Sequence, residues 1–211
     1  MNGKHTLPAD IERTSMAIIT QELAAAGIEL PPQHAAVVKR VIHTTADFDY
    51  AQSLCFTPDA VARGVAALRQ GVPIVTDTNM ALSGINKRSL HGLGCEAYCF
   101  MSDADVAEEA RVRGVTRAMV SMEKACWLDG DLIFAVGNAP TALIQLDELI
   151  RAGKLLPKLI IGVPVGFVNV VEAKELIMAQ EQVPYIVAKG RKGGSNVAAA
   201  ICNALLYQLY R

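Results

Sequence analysis

The stretch VIHTTADFDY, residues 41–50, sets His43 behind two β-branched apolar residues and ahead of two hydroxyls, two carboxylates and two aromatic rings. Imidazole is well suited to giving and taking a proton, because both of its protonation states are accessible near neutral pH. His43 also ends an apolar helical pattern of Ala35, Ala36, Val37, Val38, Val41 and Ile42. That position suits a capping or core histidine as well as a functional one, and spacing alone leaves both roles open.

A second concentration of chemistry lies at 189–196, KGRKGGSN, where Lys189, Arg191 and Lys192 alternate with glycines ahead of Ser195. Glycines let backbone N–H groups approach a ligand, a helix N-terminus adds partial positive charge, and an arginine fork grips a carboxylate or phosphate. The expectation is an anion site, against the alternative of a solvated basic turn. It is not a Walker A loop, since no Gly-Lys-Ser or Gly-Lys-Thr occurs there. The loops GNAPT (137–141) and TDTNM (76–80) hold equivalent places, with Asn138 and Asn79 as amide donors or acceptors and Pro140 suited to a first helical turn. Arg13 and Arg40 fall on early helices, and Thr14 and Arg88 are further polar candidates.

Other arrangements carry less. GLGCEA (92–97) has the spacing of a dinucleotide fingerprint but precedes a strand instead of following one. Cys95 and Cys99, with His91 upstream, do not have the spacing of the common zinc motifs, and no metal is expected. Ser121 and Ser195 lack an identifiable base, and there is no nucleophile elbow.

The elements that must hold these loops read as a repeated strand-loop-helix unit. Apolar runs at 72–75, 97–101, 132–136, 159–163 and 185–188 each lead into a polar loop that opens a helix. Parallel strands need such crossovers, so the expected class is α/β, a mostly parallel sheet with helices on both faces and functional loops at the carboxyl ends of its strands. Residues 1–70 read instead as three helices, 9–26, 33–46 and 58–70, packed on the 71–211 part of a single domain, 1–211.

With 20 Lys plus Arg against 21 Asp plus Glu the chain carries a net charge of −1, so neither nucleic acid nor a membrane surface is an expected partner. Hydrophobic residues reach 52% against 19% charged, which favours apolar surface covered by a second subunit. Five cysteines, an odd number, fit reduced thiols. No apolar run approaches the roughly 20 residues of a membrane span, and MNGKHTLPADIERTS lacks the apolar core of a secretory signal, so the cytoplasm is the expected location.

Polar and cationic strand-end loops, early arginines and one histidine suit a large, polyanionic, otherwise apolar ligand. In their order along the chain, IERTSMAII (11–19), RVIHTTADFDYA (40–51), TDTNMALSGI (76–85), VGNAPTAL (136–143), IGVPVGFVNVVEAK (161–174) and KGRKGGSNVAAA (189–200) closely resemble the precorrin-8X or cobalt-precorrin-8 methylmutase family of corrin biosynthesis. The resemblance implies an isomerase that moves a methyl group from C-11 to C-12 of the corrinoid ring, without redox cofactor or external methyl donor. It implies a homodimer with the ligand near the subunit interface. It also implies that His43 donates a proton or hydrogen bond to the macrocycle, and that Ser15 and Arg40 contact the substrate. Many family members carry an aromatic residue after that serine; Met16 stands there in this chain, a change expected to act on packing. Thr14, Asn79, Arg88, Asn138, Lys189, Arg191 and Ser195 join them on physical grounds. A non-catalytic corrinoid carrier and a phosphosugar isomerase are the competing readings.

Overall fold

Ile133 to Val136 and Leu159 to Gly162 are buried along their whole length, as strands covered on both faces must be. In the computed structural model, which describes residues 7–210, they form β4 and β5 of a six-stranded sheet. The leader reading of the opening residues rests partly on 1–6, outside the described part. In chain order the elements are α1 (Pro8–Ala25), α2 (Pro32–Thr45), α3 (Tyr50–Ser53), β1 (Leu54–Phe56), α4 (Ala60–Arg69) and β2 (Ile74–Thr76). Next come α5 (Asn79–Gly84), α6 (Lys87–Gly92), β3 (Ala97–Tyr98), α7 (Ala104–Arg113), α8 (Arg117–Ala125), β4, α9 (Pro140–Arg151) and β5. The chain continues through α10 (Val170–Met178), β6 (Tyr185–Ala188) and α11 (Ser195–Leu206).

The strands lie in the order β1-β6-β5-β4-β2-β3, all parallel except β1, which pairs antiparallel with β6 in the register Leu54 with Ala188. Because side chains alternate along a strand, each central strand feeds two cores. Ile133, Ala135, Leu159, Ile161 and Ile186 pack with α1, α2, α4 and α11 on one face. Phe134, Val136, Ile160 and Val187 pack with α8, α9 and α10 on the other. The α/β class with helices on both faces is therefore observed.

Two local expectations change. The first 70 residues hold a strand as well as helices: Leu54–Phe56 caps the sheet edge, where one buried and two half-buried residues leave no recognisable alternation. The run at 97–101 is a strand only over Ala97–Tyr98, an edge element that pairs on one side with β2 before the chain turns into α7. Cys99, read as part of a buried strand, is half-buried beyond its end.

Candidate active site

The loops that follow β2, β4, β5 and β6 meet at one end of the sheet, and the end of α2 joins them. At the centre is Asp77, fully buried just past β2. Its carboxylate accepts the amide hydrogens of Gly137 (2.8 Å), Asn138 (2.8 Å) and Ala139 (2.7 Å), the orphan donors where β4 turns into α9. Burial pushes the Asp77 pKa up, while those amides oppose the shift. Next to it, Thr78 caps α5 by accepting from Ala81 N–H (3.0 Å), and its hydroxyl lies 2.8 Å from that of Ser195. Asn79 donates to Ser102 Oγ at 2.7 Å. The loop after β2 thus binds the loops after β3, β4 and β6 together.

Two glycines allow the close approach. A Cβ on Gly137 would stand 2.7 Å from Ser195 Cα, and one on Gly193 would stand 2.1 Å from the Val163 carbonyl oxygen. No side chain fits at either place.

Lys174, on α10, is buried completely. Its ammonium donates to the carbonyls of Gly190 (2.7 Å) and Lys192 (2.8 Å), which fixes the glycine loop from beneath. Burial lowers its pKa to about 8. On the outer side of the same loop, Lys192 Nζ reaches Asp47 Oδ2 (2.6 Å) and Asp49 Oδ2 (2.5 Å). One of the three cations expected for an anion site is therefore already paired. Lys189 is exposed and is held through its backbone, its N–H donating to Ser53 O at 2.8 Å. Arg191 lies over the Phe167 ring, 5.4 Å from its centroid. Phe167, Val168, Val165 and Met80 are exposed, so the segments after β2 and β5 add apolar surface to this end of the sheet.

The two histidines of α2 have separated roles. His34, in the first turn, stacks on Phe56 with centroids 4.0 Å apart, and burial lowers its pKa. Its Nε2 is buried without a hydrogen-bond partner among the described residues. His43, in the last turn, is exposed. One turn earlier Arg40 bonds Glu12 of α1 at 2.5 Å and lies over the Tyr207 ring, 5.1 Å from its centroid. Ser15 Oγ donates to Ile11 O (2.9 Å), Thr14 is half-buried, and Arg13 pairs with Asp10 on the exposed side of α1. Met16 packs partly into the core beneath.

The structure thus brings Asn79, Asn138, Lys189, Arg191 and Ser195 into one set of strand-end loops, with the His43 segment tied to them through Lys192. Ser15, Thr14 and Arg40 lie on the packed α1–α2 pair. Arg88 is exposed on α6, whose capping residue Asn86 bonds the Tyr207 hydroxyl at 3.1 Å. Asp77, Lys174 and the pairing of Lys192 went unread in the sequence. Lys174 had a signal, since it shares the buried stripe of Val170, Ala173 and Ile177 on α10.

Elsewhere, a groove of about 750 Å³ between α7, α8 and α9, lined in part by Phe100, Trp127 and Lys154, contains none of the candidate residues. Cys95 Sγ donates to Leu68 O at 3.1 Å, and Ser121 Oγ is buried without a partner among the described residues. No three His, Cys, Asp or Glu side chains among them are placed to hold a metal, and none of their helices is long and apolar enough to cross a membrane.

Comparison with known proteins gives the family. The precorrin-8X methylmutase family profile matches residues 10–208. The cobalt-precorrin-8 methylmutase of Leptospira interrogans is 45% identical over 95% of this chain and 93% of its own. That of Salmonella typhimurium is 45% identical over 96% of each chain. The precorrin-8X methylmutase of Pseudomonas aeruginosa is 41% identical over 92% and 93%. Among solved structures, the precorrin-8X methyl mutase of Thermus thermophilus superposes with a TM-score of 0.84 at 40% identity, covering 93% of this chain and 96% of that one. Matches over nearly the whole length, with the same fold, have one conclusion: the chain belongs to the precorrin-8X methylmutase family.

Proposed function

We propose that His43 is the acid that assists a methyl shift from C-11 to C-12 of a corrinoid, in a mouth whose cations and backbone amides hold the peripheral carboxylates. Membership of the family makes the chain an isomerase of cobalamin biosynthesis, and sets the phosphosugar reading aside. The observation that carries the site assignment is the tie between the His43 segment and the glycine loop through Lys192, Asp47 and Asp49. It supports a site in which the exposed His43, Lys189 and Arg191 act together beside the exposed apolar side chains of Val165, Phe167 and Val168.

That arrangement suits the reaction. The migrating group stays on the same molecule, so the protein has to orient the ring, exclude water from it and place a proton where charge develops. A positioned acid contributes roughly a hundred- to ten-thousand-fold in rate. Phe167 and its neighbours supply apolar surface to the flat ring, and Arg191 above Phe167 can reach its carboxylates.

Relatives bear both substrate names, with and without cobalt. The metal, where present, is held by the macrocycle and needs no protein ligand. Incubating the purified protein with metal-free and with cobalt-containing substrate, and following the visible spectrum, tests the activity and decides between them. Spectra that change on binding but never convert would leave the carrier reading in place.

A homodimer in the cytoplasm completes the proposal. Ile11 and Ile18 on α1, with Leu7 just before it, are exposed and offer an apolar stripe for a second subunit.

A further inference from the structure

We infer that Lys192 is a positioning residue of the methylmutase reaction: by clasping Asp47 and Asp49 it holds the last turn of α2, and with it His43, against the strand-end loops. The inference rests on the reading of His43 as the acid.

The geometry on the α2 side is closely wound. Ala46 ends the helix in the left-handed region (φ 54°), and its N–H donates to Ile42 O at 2.7 Å. Thr45 Oγ1 donates to Val41 O (2.9 Å) and accepts from Asp47 N–H (3.2 Å), while Asp47 Oδ1 accepts from Asp49 N–H (3.0 Å). A displacement at Asp47 or Asp49 is therefore passed through short hydrogen-bonded links to the turn that carries His43.

The other side is anchored independently. Lys174 binds the carbonyl of Lys192 itself, Gly193 is pressed against Val163, and Gly194 N–H donates to Val163 O at 2.9 Å. The backbone of Lys192 is thus fixed from within the domain, and its side chain spans from that fixed point to the two carboxylates. The hydrogen bond from Lys192 also holds the Asp47 carboxyl below its usual pKa, which keeps that side of the clasp charged at neutral pH.

Three roles for Lys192 are distinguishable by what its loss changes. A half-exposed ion pair adds little to global stability, so a purely structural clasp would change nothing measurable in turnover. A misplacement of about 1 Å in a catalytic group can cost on the order of a hundredfold in rate, so a positioning clasp shows in kcat. As a direct substrate contact Lys192 would first have to leave two carboxylates, and its loss would show in KM.

The test uses the full chain with Lys192→Met, Lys192→Arg and the double variant Asp47→Asn/Asp49→Asn, each checked by circular dichroism. Wild-type turnover and the His43→Ala variant decide the underlying reading first. For Lys192→Met and for the double variant, kcat is expected to fall about five- to fiftyfold, within that hundredfold ceiling, with KM changed less than about twofold. Lys192→Arg, which can bridge both carboxylates, restores most of the rate. Independently of turnover, the ring-proton NMR signal of His43, assigned by its loss in His43→Gln, shifts or broadens in the clasp-cut variants and not in Lys192→Arg. A raised KM with unchanged kcat makes Lys192 a substrate contact and overturns the inference. Unchanged kinetics with an unmoved His43 signal overturn it too. If Lys192→Met fails to fold, the double variant on the opposite side of the clasp gives the same readings.

Discussion

The carboxylate of Asp77 lies 2.8 Å from the amide nitrogen of Gly137, so a side chain at the end of one strand fixes the backbone leaving its neighbour. Replacing it with Asn keeps the shape but removes one acceptor oxygen and turns an amide donor toward backbone N–H groups. The expected loss is about 1–3 kcal/mol of stability, read as a lower midpoint in urea unfolding. A midpoint equal to wild type would mean that water replaces the carboxylate without cost.

His43→Ala should remove most turnover, by a factor of about 100 or more, while leaving the fold and corrinoid affinity nearly intact. Its exposure and its place at the end of α2 mean that no core packing is lost. Single-turnover spectra with a corrinoid titration check both halves. If the folded variant isomerises at more than about a tenth of the wild-type rate, the histidine binds or supports but does not catalyse.

Arg191→Ala should weaken corrinoid binding by about 1–3 kcal/mol, because a charge-assisted hydrogen bond to a carboxylate disappears along with the guanidinium over Phe167. A titration at physiological salt measures it. Equal affinity would return 189–196 to a solvated turn.

The buried lysine makes a prediction about pH. In the unfolded chain Lys174 gives up its proton near the ordinary 10.5, and in the folded protein near 8. Between these values the unfolded state binds more protons, so this group makes stability rise with pH. Relative to Lys174→Met, which cannot titrate, the wild type should gain on the order of 2 kcal/mol between pH 7 and pH 10. Parallel urea curves at the two pH values check it, and a wild type that loses stability relative to Lys174→Met from pH 7 to pH 10 contradicts the assigned shift.

Sedimentation at micromolar concentration should give the mass of a dimer, and Ile11→Glu/Ile18→Glu should shift it toward a monomer. A monomeric wild type would leave the apolar stripe of α1 as ordinary surface.

The parts of this architecture that were legible in the sequence were those whose burial is uniform. β4, β5 and β6 announced themselves as apolar runs ending in polar loops, since both faces of each are covered. β1 did not, because an edge strand of three residues in mixed environments has too few positions to show a period. In the site, the loops could be located by their glycines and asparagines, but their wiring could not. Lys192 looked like a free cation because nothing local indicates that Asp47 and Asp49, over 140 residues earlier in the chain, stand beside it. Lys174 sat in view on an apolar stripe, where long lysines usually reach out to water; here the carbonyls of a neighbouring loop meet the ammonium instead.

Pairing β1 with β6 also has a bearing on how the chain is made. Leu54 to Phe56 hydrogen-bond to residues 186–188, Thr57 N–H donates to Tyr185 O at 3.1 Å, and α2 packs against α11. β1 and the face of α2 that meets α11 therefore find native neighbours that follow them by well over a hundred residues. Contacts of such sequence separation form slowly, and synthesis proceeds at about 5–20 residues per second. During translation the α1–α2 hairpin would wait, apolar face uncovered, until α11 leaves the ribosome. Stalled nascent chains ending before residue 185 should accordingly be cut by protease in the 8–56 region, and those carrying α11 should resist. On that expectation the face of α2 that α11 covers stays open longest, and the seam between first and sixth strands forms late.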